Sequence, residues 1–106
     1  MQDLKWTESE KKLARRMFDA ALARELAEVV SDFKAKAAAA ATADDAWSIA
    51  DHFSRRRREI DQKYDYRYSQ LPVVFGRLLR EGRIEEAALA GLSEDKRAVI
   101  LRIATY

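Results

Sequence analysis

Residues that build disulfides, metal sites and nucleophilic centres are almost absent from this sequence. It has no cysteine, which excludes disulfide bonds and thiolate chemistry and is typical of a cytoplasmic protein. Its one histidine, His52, follows Asp51, but neighbouring residues on a helix point about 100° apart, so the two do not form a catalytic dyad. No glycine-rich phosphate loop, HExxH motif or nucleophile elbow occurs. We therefore expect a protein that is not an enzyme and that needs neither a metal nor a cofactor.

Turn residues and long apolar runs are also scarce. Three glycines and one proline in 106 residues favour a few long elements over many short ones. No apolar run approaches the roughly 18–20 residues that a membrane-spanning helix needs, and Met1–Lys5 lack the apolar core of a signal peptide. The sequence therefore predicts a single all-α domain over residues 1–106, cytoplasmic and without a membrane span.

Two long helices are predicted. Thr7-Glu8-Ser9-Glu10 matches a capping box, and apolar residues then recur at helical spacing, at Phe18, Leu22, Leu26, Val30 and Phe33. Residues 34–43 have high helix propensity, so the first helix extends over about 30 residues. Thr42 with Asp45 caps a second helix, which we expect to end at Gln70-Leu71-Pro72 because proline cannot donate the required hydrogen bond.

Shorter helices complete the predicted fold. Val73–Leu79 form one, which Gly82 terminates, and two more follow at roughly 84–90 and at 94–104 behind a Ser93 cap. The two long helices, at about 7–71, form an antiparallel stalk, and about 72–106 form a small helical head. Because a bare two-helix hairpin cannot cover its own apolar stripes, we expect a homodimer in which two stalks pair as a four-helix bundle.

Four consecutive arginines, Arg55–Arg58, stand in the second helix. Residues in a row point nearly all the way round a helix, so the four cannot form one basic face. Carboxylates stand at helical spacing from two of them, Asp51 from Arg55 and Asp61 from Arg57. Three interpretations stay open: a solvated helix with ion pairs, a protein-binding face, and a nucleic-acid patch, which the nearby carboxylates disfavour.

Aromatic residues before and after this run have two possible roles. One face of the second helix carries Trp47, Asp51, Ser54 and Arg58. Trp and Arg are common anchors of protein interfaces, although a lone helical Trp is more often part of the core. On a continuous helix Tyr64 and Tyr68 share a face and Tyr66 points elsewhere, which disfavours a platform for stacking bases. We expect Tyr64 to be packed and the other two tyrosines to lie at the surface.

The segment from Trp47 to Ser69 contains a long, unusual string, EIDQKYDYRYS at residues 59–69. This segment resembles the signature of the cyanobacterial fluorescence recovery protein family. The similarity also includes Trp6, Phe18, Arg24-Glu25, Trp47, Asp51, Phe53, Arg57, Phe75, Leu78-Leu79, Glu81-Gly82, Leu92 and Asp95-Lys96. It therefore extends over nearly the whole chain.

This resemblance implies a fold and a function. The fold is an all-α dimer with two-helix stalks and small helical heads. The function is non-enzymatic binding to the C-terminal domain of the photoactivated orange carotenoid protein. Binding speeds the return of that protein from its red form to its orange form and so ends photoprotective quenching. The carotenoid belongs to the partner and not to this chain.

The resemblance also implies site residues. Trp47, Asp51 and Arg57 match family positions tied to dimer integrity and partner engagement. Trp47 would supply apolar contact, Arg57 charge-assisted hydrogen bonds, and Asp51 a partner for a basic residue. The predicted partner-binding and dimer residues are Trp47, Asp51, Phe53, Arg57, Ile60, Asp61 and Tyr64.

Several positions depart from the family pattern. Ala50 stands where the family usually has a histidine directly before Asp51, and His52 stands where it usually has an apolar residue. Pro72 also stands where an apolar residue is expected, and the arginine run is more basic than usual. Relatives of the family occur in bacteria without the carotenoid protein. The alternative function is therefore a dimeric helical adaptor of the same fold with a different, unknown protein partner.

Overall fold

The computed structural model describes residues 5–106, and within that range its only regular secondary structure is helical. There are four α-helices, α1 (Glu8–Ala39), α2 (Ala43–Lys63), α3 (Leu71–Arg80) and α4 (Glu94–Ala104), and a 3₁₀ helix at Glu86–Gly91. The all-α prediction is confirmed. The chain forms two compact units: residues 22–64, and Asp65–Tyr106 together with the chain up to Ala21. The single-domain assignment and the stalk and head stay predictions.

Both long helices begin at the predicted caps, and each cap is a capping box. The Thr7 N–H donates to Glu10 Oε1 at 3.0 Å, and the Glu10 N–H donates to Thr7 Oγ1 at 3.2 Å. At the start of α2 the Asp45 N–H donates to Thr42 Oγ1 at 3.1 Å, and the Thr42 N–H donates to Asp45 Oδ2 at 3.2 Å. Each box satisfies amides that have no partner inside the helix.

The predicted end of α2 was wrong. The helix ends at Lys63 instead of continuing to Gln70, and Tyr64 caps it with φ −90° and ψ 74°. The Tyr64 N–H still donates to the Ile60 carbonyl at 3.0 Å. Beyond Tyr64 the chain is not helical again until α3. Tyr66 and Tyr68 therefore do not lie on a continuation of α2.

Packing of two tyrosines explains this early end. The Tyr66 ring meets the Phe18 ring edge-on, with centroids 4.9 Å apart, and the Tyr68 ring lies 5.7 Å from the Trp6 ring. The Tyr66 and Tyr68 rings are 5.8 Å apart, whereas a helix would point them to different sides. Half-burial of Tyr66 also corrects its predicted surface position. Tertiary contact has overridden local helix propensity here.

Helix α3 contains the proline that was expected to end its predecessor. Pro72 lies in the first turn of α3, where its missing N–H has no helical partner to lose. The predicted glycine stop is confirmed, because Gly82 has φ 73°. The Gly82 N–H donates to the Leu79 carbonyl at 3.1 Å, and the Arg83 N–H donates to the Leu78 carbonyl at 2.8 Å. These two bonds form a Schellman motif.

The two short helices after Gly82 are present, one of them displaced. Instead of 84–90, the first is the 3₁₀ helix Glu86–Gly91, and Ile84 is buried in the core before the helix begins. Helix α4 has the predicted extent, and the Lys96 N–H donates to Ser93 Oγ at 3.3 Å.

The core of the unit that contains α3 and α4 is apolar and closely packed. Its largest fully buried side chains are Leu71, Phe75, Leu78, Leu89 and Ile100. Gly76 permits the approach of α4 to α3, because a Cβ atom at this position would lie 2.5 Å from Ile103 Cγ2. Over residues 5–106, no helix is long and apolar enough to cross a membrane.

Candidate functional site

Helices α1 and α2 run antiparallel within residues 22–64. Contacts join Glu25 to Lys63, Asp32 to His52 and Phe33 to Phe53. From the first of these contacts to the last, the residue numbers on α1 rise while those on α2 fall, so the two helices run in opposite directions. All seven predicted site residues lie on α2 or at its C-terminal cap.

Four of the predicted residues form one exposed surface, which we call the α2 face: Trp47, Asp51, Arg57 and Asp61. The Trp47 residue is 68% exposed, so the interpretation of Trp47 as a core residue of the single chain is wrong. The Arg57 side chain is 86% exposed, and its Nε lies 3.9 Å from Asp61 Oδ2. Helical spacing places the four residues within about one third of the helix circumference, with Asp51 also exposed.

The other three predicted residues point away from this surface. Ile60 is buried. Phe53 is half-buried and meets the Phe33 ring edge-on, with centroids 5.4 Å apart. Tyr64 is half-buried, as expected for a packed tyrosine, and its hydroxyl donates to Glu25 Oε1 at 2.7 Å. The structure therefore does not place all seven residues on one contact surface.

A buried carboxylate, Glu25, lies between the helices. It is 3% exposed, and the Lys63 Nζ lies 2.7 Å from its Oε1 and 2.8 Å from its Oε2. Arg56 Nη2 lies 3.9 Å from Oε2. In the sequence, Glu25 stands out only as part of the family resemblance. The sequence signal for Glu25 is its spacing: it stands three residues after Leu22, which puts a charged residue on the side of the helix that is otherwise apolar.

The arginine run distributes its side chains around α2. Arg56 points inward, with its side chain 23% exposed, toward Glu25. Arg57 pairs with Asp61, as the spacing predicts, and Arg58 Nη1 donates to Ser54 Oγ at 3.3 Å. The predicted pair of Asp51 with Arg55 stays a prediction. Because the four guanidinium groups point in different directions, they do not form the continuous basic surface that a phosphate backbone requires.

The single histidine contacts α1 and not its sequence neighbour Asp51. His52 Nε2 lies 3.6 Å from Asp32 Oδ2, and the His52 ring meets the Phe53 ring edge-on at 4.8 Å. Asp32 also lies 3.7 Å from Lys36 Nζ. No group of three or more His, Cys, Asp or Glu side chains within residues 5–106 is arranged to hold a metal ion. The α2 face itself offers an exposed aromatic ring and exposed charged side chains.

Comparison with known proteins finds relatives over almost the whole chain. A family model described as "Photoprotection regulator fluorescence recovery protein" matches residues 6–104. The fluorescence recovery protein of Synechocystis sp. strain PCC 6803 is 36% identical over 99 residues, which are 93% of this chain and 91% of that protein.

Solved structures of relatives share the fold. The fluorescence recovery protein of Fremyella diplosiphon superposes with a TM-score of 0.92 at 32% identity, covering 96% of this chain and 100% of that one. The Synechocystis structure superposes with the same TM-score and coverage at 35% identity. Sequence and structure therefore agree with the predicted resemblance. The chain belongs to the fluorescence recovery protein family of photoprotection regulators.

Proposed function

We propose that this protein is a non-enzymatic regulator that binds the C-terminal domain of photoactivated orange carotenoid protein and accelerates its return from red to orange. The observation that carries the proposal is family membership over residues 6–104. The α2 face supports it, because an exposed Trp47 on the same side of the helix as the charges of Asp51 and Arg57 has the composition of a protein-binding surface. We place this activity in the cytoplasm.

The proposed acceleration needs no bond to be made or broken. A regulator that binds the path to the compact orange form better than it binds the open red form lowers the barrier between them. Each molecule is then released and acts again, so small amounts suffice. The carotenoid is supplied by the partner, and relaxation of the partner ends photoprotective quenching.

We propose further that the protein acts as a homodimer paired through residues 22–64. Leu26, Val30 and Phe33 lie at helical spacing on α1 and are 46%, 54% and 49% exposed. We call these three residues the α1 stripe. Among residues 22–64, all of which the structure describes, Ile60 is the one buried apolar side chain. Pairing of two such hairpins as a four-helix bundle, the predicted stalk, would cover the stripe.

A second candidate is a dimeric adaptor of the same fold with a different protein partner. It is favoured by Ala50, which removes the imidazole that the family pattern has before Asp51. His52 does not replace that imidazole on the α2 face, because it lies beside Asp32 of α1. In this case the fold and the dimer are retained and the partner differs.

An optical experiment separates the two candidates. Purified orange carotenoid protein is photoactivated, this protein is added in substoichiometric amounts, and the red-to-orange recovery is followed in the dark. Clear acceleration supports the first candidate. Unchanged recovery with a protein that is folded by circular dichroism contradicts it and favours the adaptor.

Variants of the α2 face sharpen the test. Trp47→Ala removes the exposed anchor and should weaken acceleration, whereas Ala37→Ser, an exposed position on α1, should leave it unchanged. The same two variants measured by light scattering at low micromolar concentration show whether Trp47 contributes to the dimer as well.

A further inference from the structure

The buried carboxylate Glu25 does not belong to the α2 face, and its burial is energetically costly. A carboxylate removed from water is tolerated only when charged and hydrogen-bonding partners replace the solvent. Lys63 Nζ lies within 2.8 Å of both Glu25 oxygens, and the Tyr64 hydroxyl donates to Oε1 at 2.7 Å. An isolated pair of helices would be simpler to build with apolar side chains at these positions.

The partners of Glu25 mark the end of α2. Lys63 is the last residue of the helix and Tyr64 is its cap. Both side chains are drawn toward α1, and Lys63 Nζ lies 5.4 Å from the centroid of the Tyr64 ring. Lysine loses much rotamer freedom when buried, so its ordering here depends on the carboxylate. Glu25 thus holds α2 at the residue where the helix stops.

A second contact of Glu25 controls the rotation of α2 about its own axis. Arg56 Nη2 lies 3.9 Å from Glu25 Oε2, two helical turns before Lys63. With Arg56 turned inward, the next residue, Arg57, projects about 100° away and is exposed. Asp61, one turn further, then lies beside Arg57. The inward contacts at 56 and 63 therefore determine which residues form the α2 face.

We infer that Glu25 is a positioning residue for partner binding, which acts by fixing the end and the rotation of α2. The test of this inference by activity rests on the proposed function, whereas its test by hydrogen exchange does not. Apolar contacts alone tolerate small rotations of one helix against another, whereas a buried carboxylate with directed donors selects one arrangement. The α2 face is consequently preorganised before the partner arrives, and preorganisation raises affinity.

The structural readout is amide hydrogen exchange at residues 61–64 in wild type, Glu25→Gln and Tyr64→Phe. Glu10→Gln is the matched control, because Glu10 is also a buried carboxylate with a lysine partner, Lys96 Nζ at 3.1 Å, in the other unit. We expect exchange at 61–64 to rise about tenfold in Glu25→Gln and about threefold in Tyr64→Phe, and to stay unchanged in the control. Should Glu25→Gln fail to fold, Tyr64→Phe decides. Equal exchange in the folded variants and wild type overturns the inference.

The activity readout is the recovery rate of orange carotenoid protein against the concentration of each variant, at a temperature where all are folded. We expect the half-maximal concentration for Glu25→Gln to rise about threefold to tenfold while the maximal rate is kept, because lost preorganisation lowers affinity. A merely structural role predicts equal losses in Glu25→Gln and Glu10→Gln, and that result overturns the inference. If wild type gives no acceleration, the proposed function fails, and hydrogen exchange alone decides the role of Glu25.

Discussion

Acid should selectively weaken the ion pair between Glu10 and Lys96. Burial by itself raises the pKa of Glu10, but hydrogen bonds from the Thr7 and Ser93 N–H groups, together with the Lys96 ammonium, outweigh burial and lower the pKa from 4.5 to about 2. The three donor nitrogens lie 3.0, 2.8 and 3.1 Å from the carboxylate oxygens. The carboxylate joins the start of α1 to the cap of α4.

The direction of the pH effect follows from the lowered pKa. Because the folded protein binds this proton more weakly than the unfolded chain, the contribution to stability is fully present above pH 4.5 and is lost as the pH falls toward 2. The whole shift would correspond to about 3 kcal/mol. Part of the surrounding network lies near solvent, so we expect about 1–3 kcal/mol.

Urea unfolding of wild type and Glu10→Gln at pH 7, 5, 4 and 3 measures this contribution. The free energy of unfolding should be about 1–3 kcal/mol lower in Glu10→Gln at pH 7. The difference should shrink below pH 4.5, because the unfolded wild-type chain then takes up a proton at Glu10 that the folded protein still excludes. Glu86→Gln, at an exposed carboxylate on the 3₁₀ helix, is the control and should match wild type at pH 7. A difference between wild type and Glu10→Gln that stays constant from pH 7 to 3 would refute the reasoning.

Three further predictions concern packing, capping and association. Gly76→Ala should lower the free energy of unfolding by about 1–3 kcal/mol, since the new Cβ would lie 2.5 Å from Ile103 Cγ2; an unchanged urea midpoint would contradict the close approach. Thr42→Ala should cost about 1 kcal/mol by loss of the α2 cap, and Thr42→Ser should recover most of it in the same assay. Val30→Asp should lower the mass in light scattering toward the monomer, whereas Ser31→Asp, exposed on another side of α1, should not; equal masses would contradict pairing through the α1 stripe.

Helix ends that depend on nearby residues were predictable from the sequence. The reciprocal hydrogen bonds of Thr7 with Glu10, and of Thr42 with Asp45, involve groups three residues apart. The Schellman motif at Gly82 depends on one residue that adopts positive φ without a steric penalty. In each case the deciding interaction lies within a single helical turn.

The end of α2 was not predictable in this way, because residues distant in the sequence decide it. The run from Tyr64 to Tyr68 contains no glycine or proline, so no local signal opposes a helix. Tyr66 leaves the helix to pack against Phe18, and Arg15 Cζ lies 4.3 Å from the centroid of the Tyr66 ring. Only knowledge that these aromatic rings meet the first helix could have moved the predicted boundary.

The role of the seven candidate site residues stays a prediction, and four of the seven lie on the exposed α2 face. Helical spacing grouped Trp47 with Asp51 on one side of α2, but it could not tell which side of α2 meets α1. That side is set by Glu25, whose charge selects Arg56 and Lys63 as inward neighbours. Without the partner helix, each of the four arginines was an equal candidate for the inward position.

The two-helix unit buries charged side chains and exposes several apolar ones. Two of its three buried residues, Glu25 and Lys63, are charged, while the α1 stripe and Trp47 remain exposed. Charged contacts specify one geometry but add little net stability, whereas exposed apolar area supplies binding energy only once another surface covers it. Residues 22–64 therefore combine charged buried contacts with exposed apolar side chains, and this combination is what the proposed pairing of two hairpins would explain.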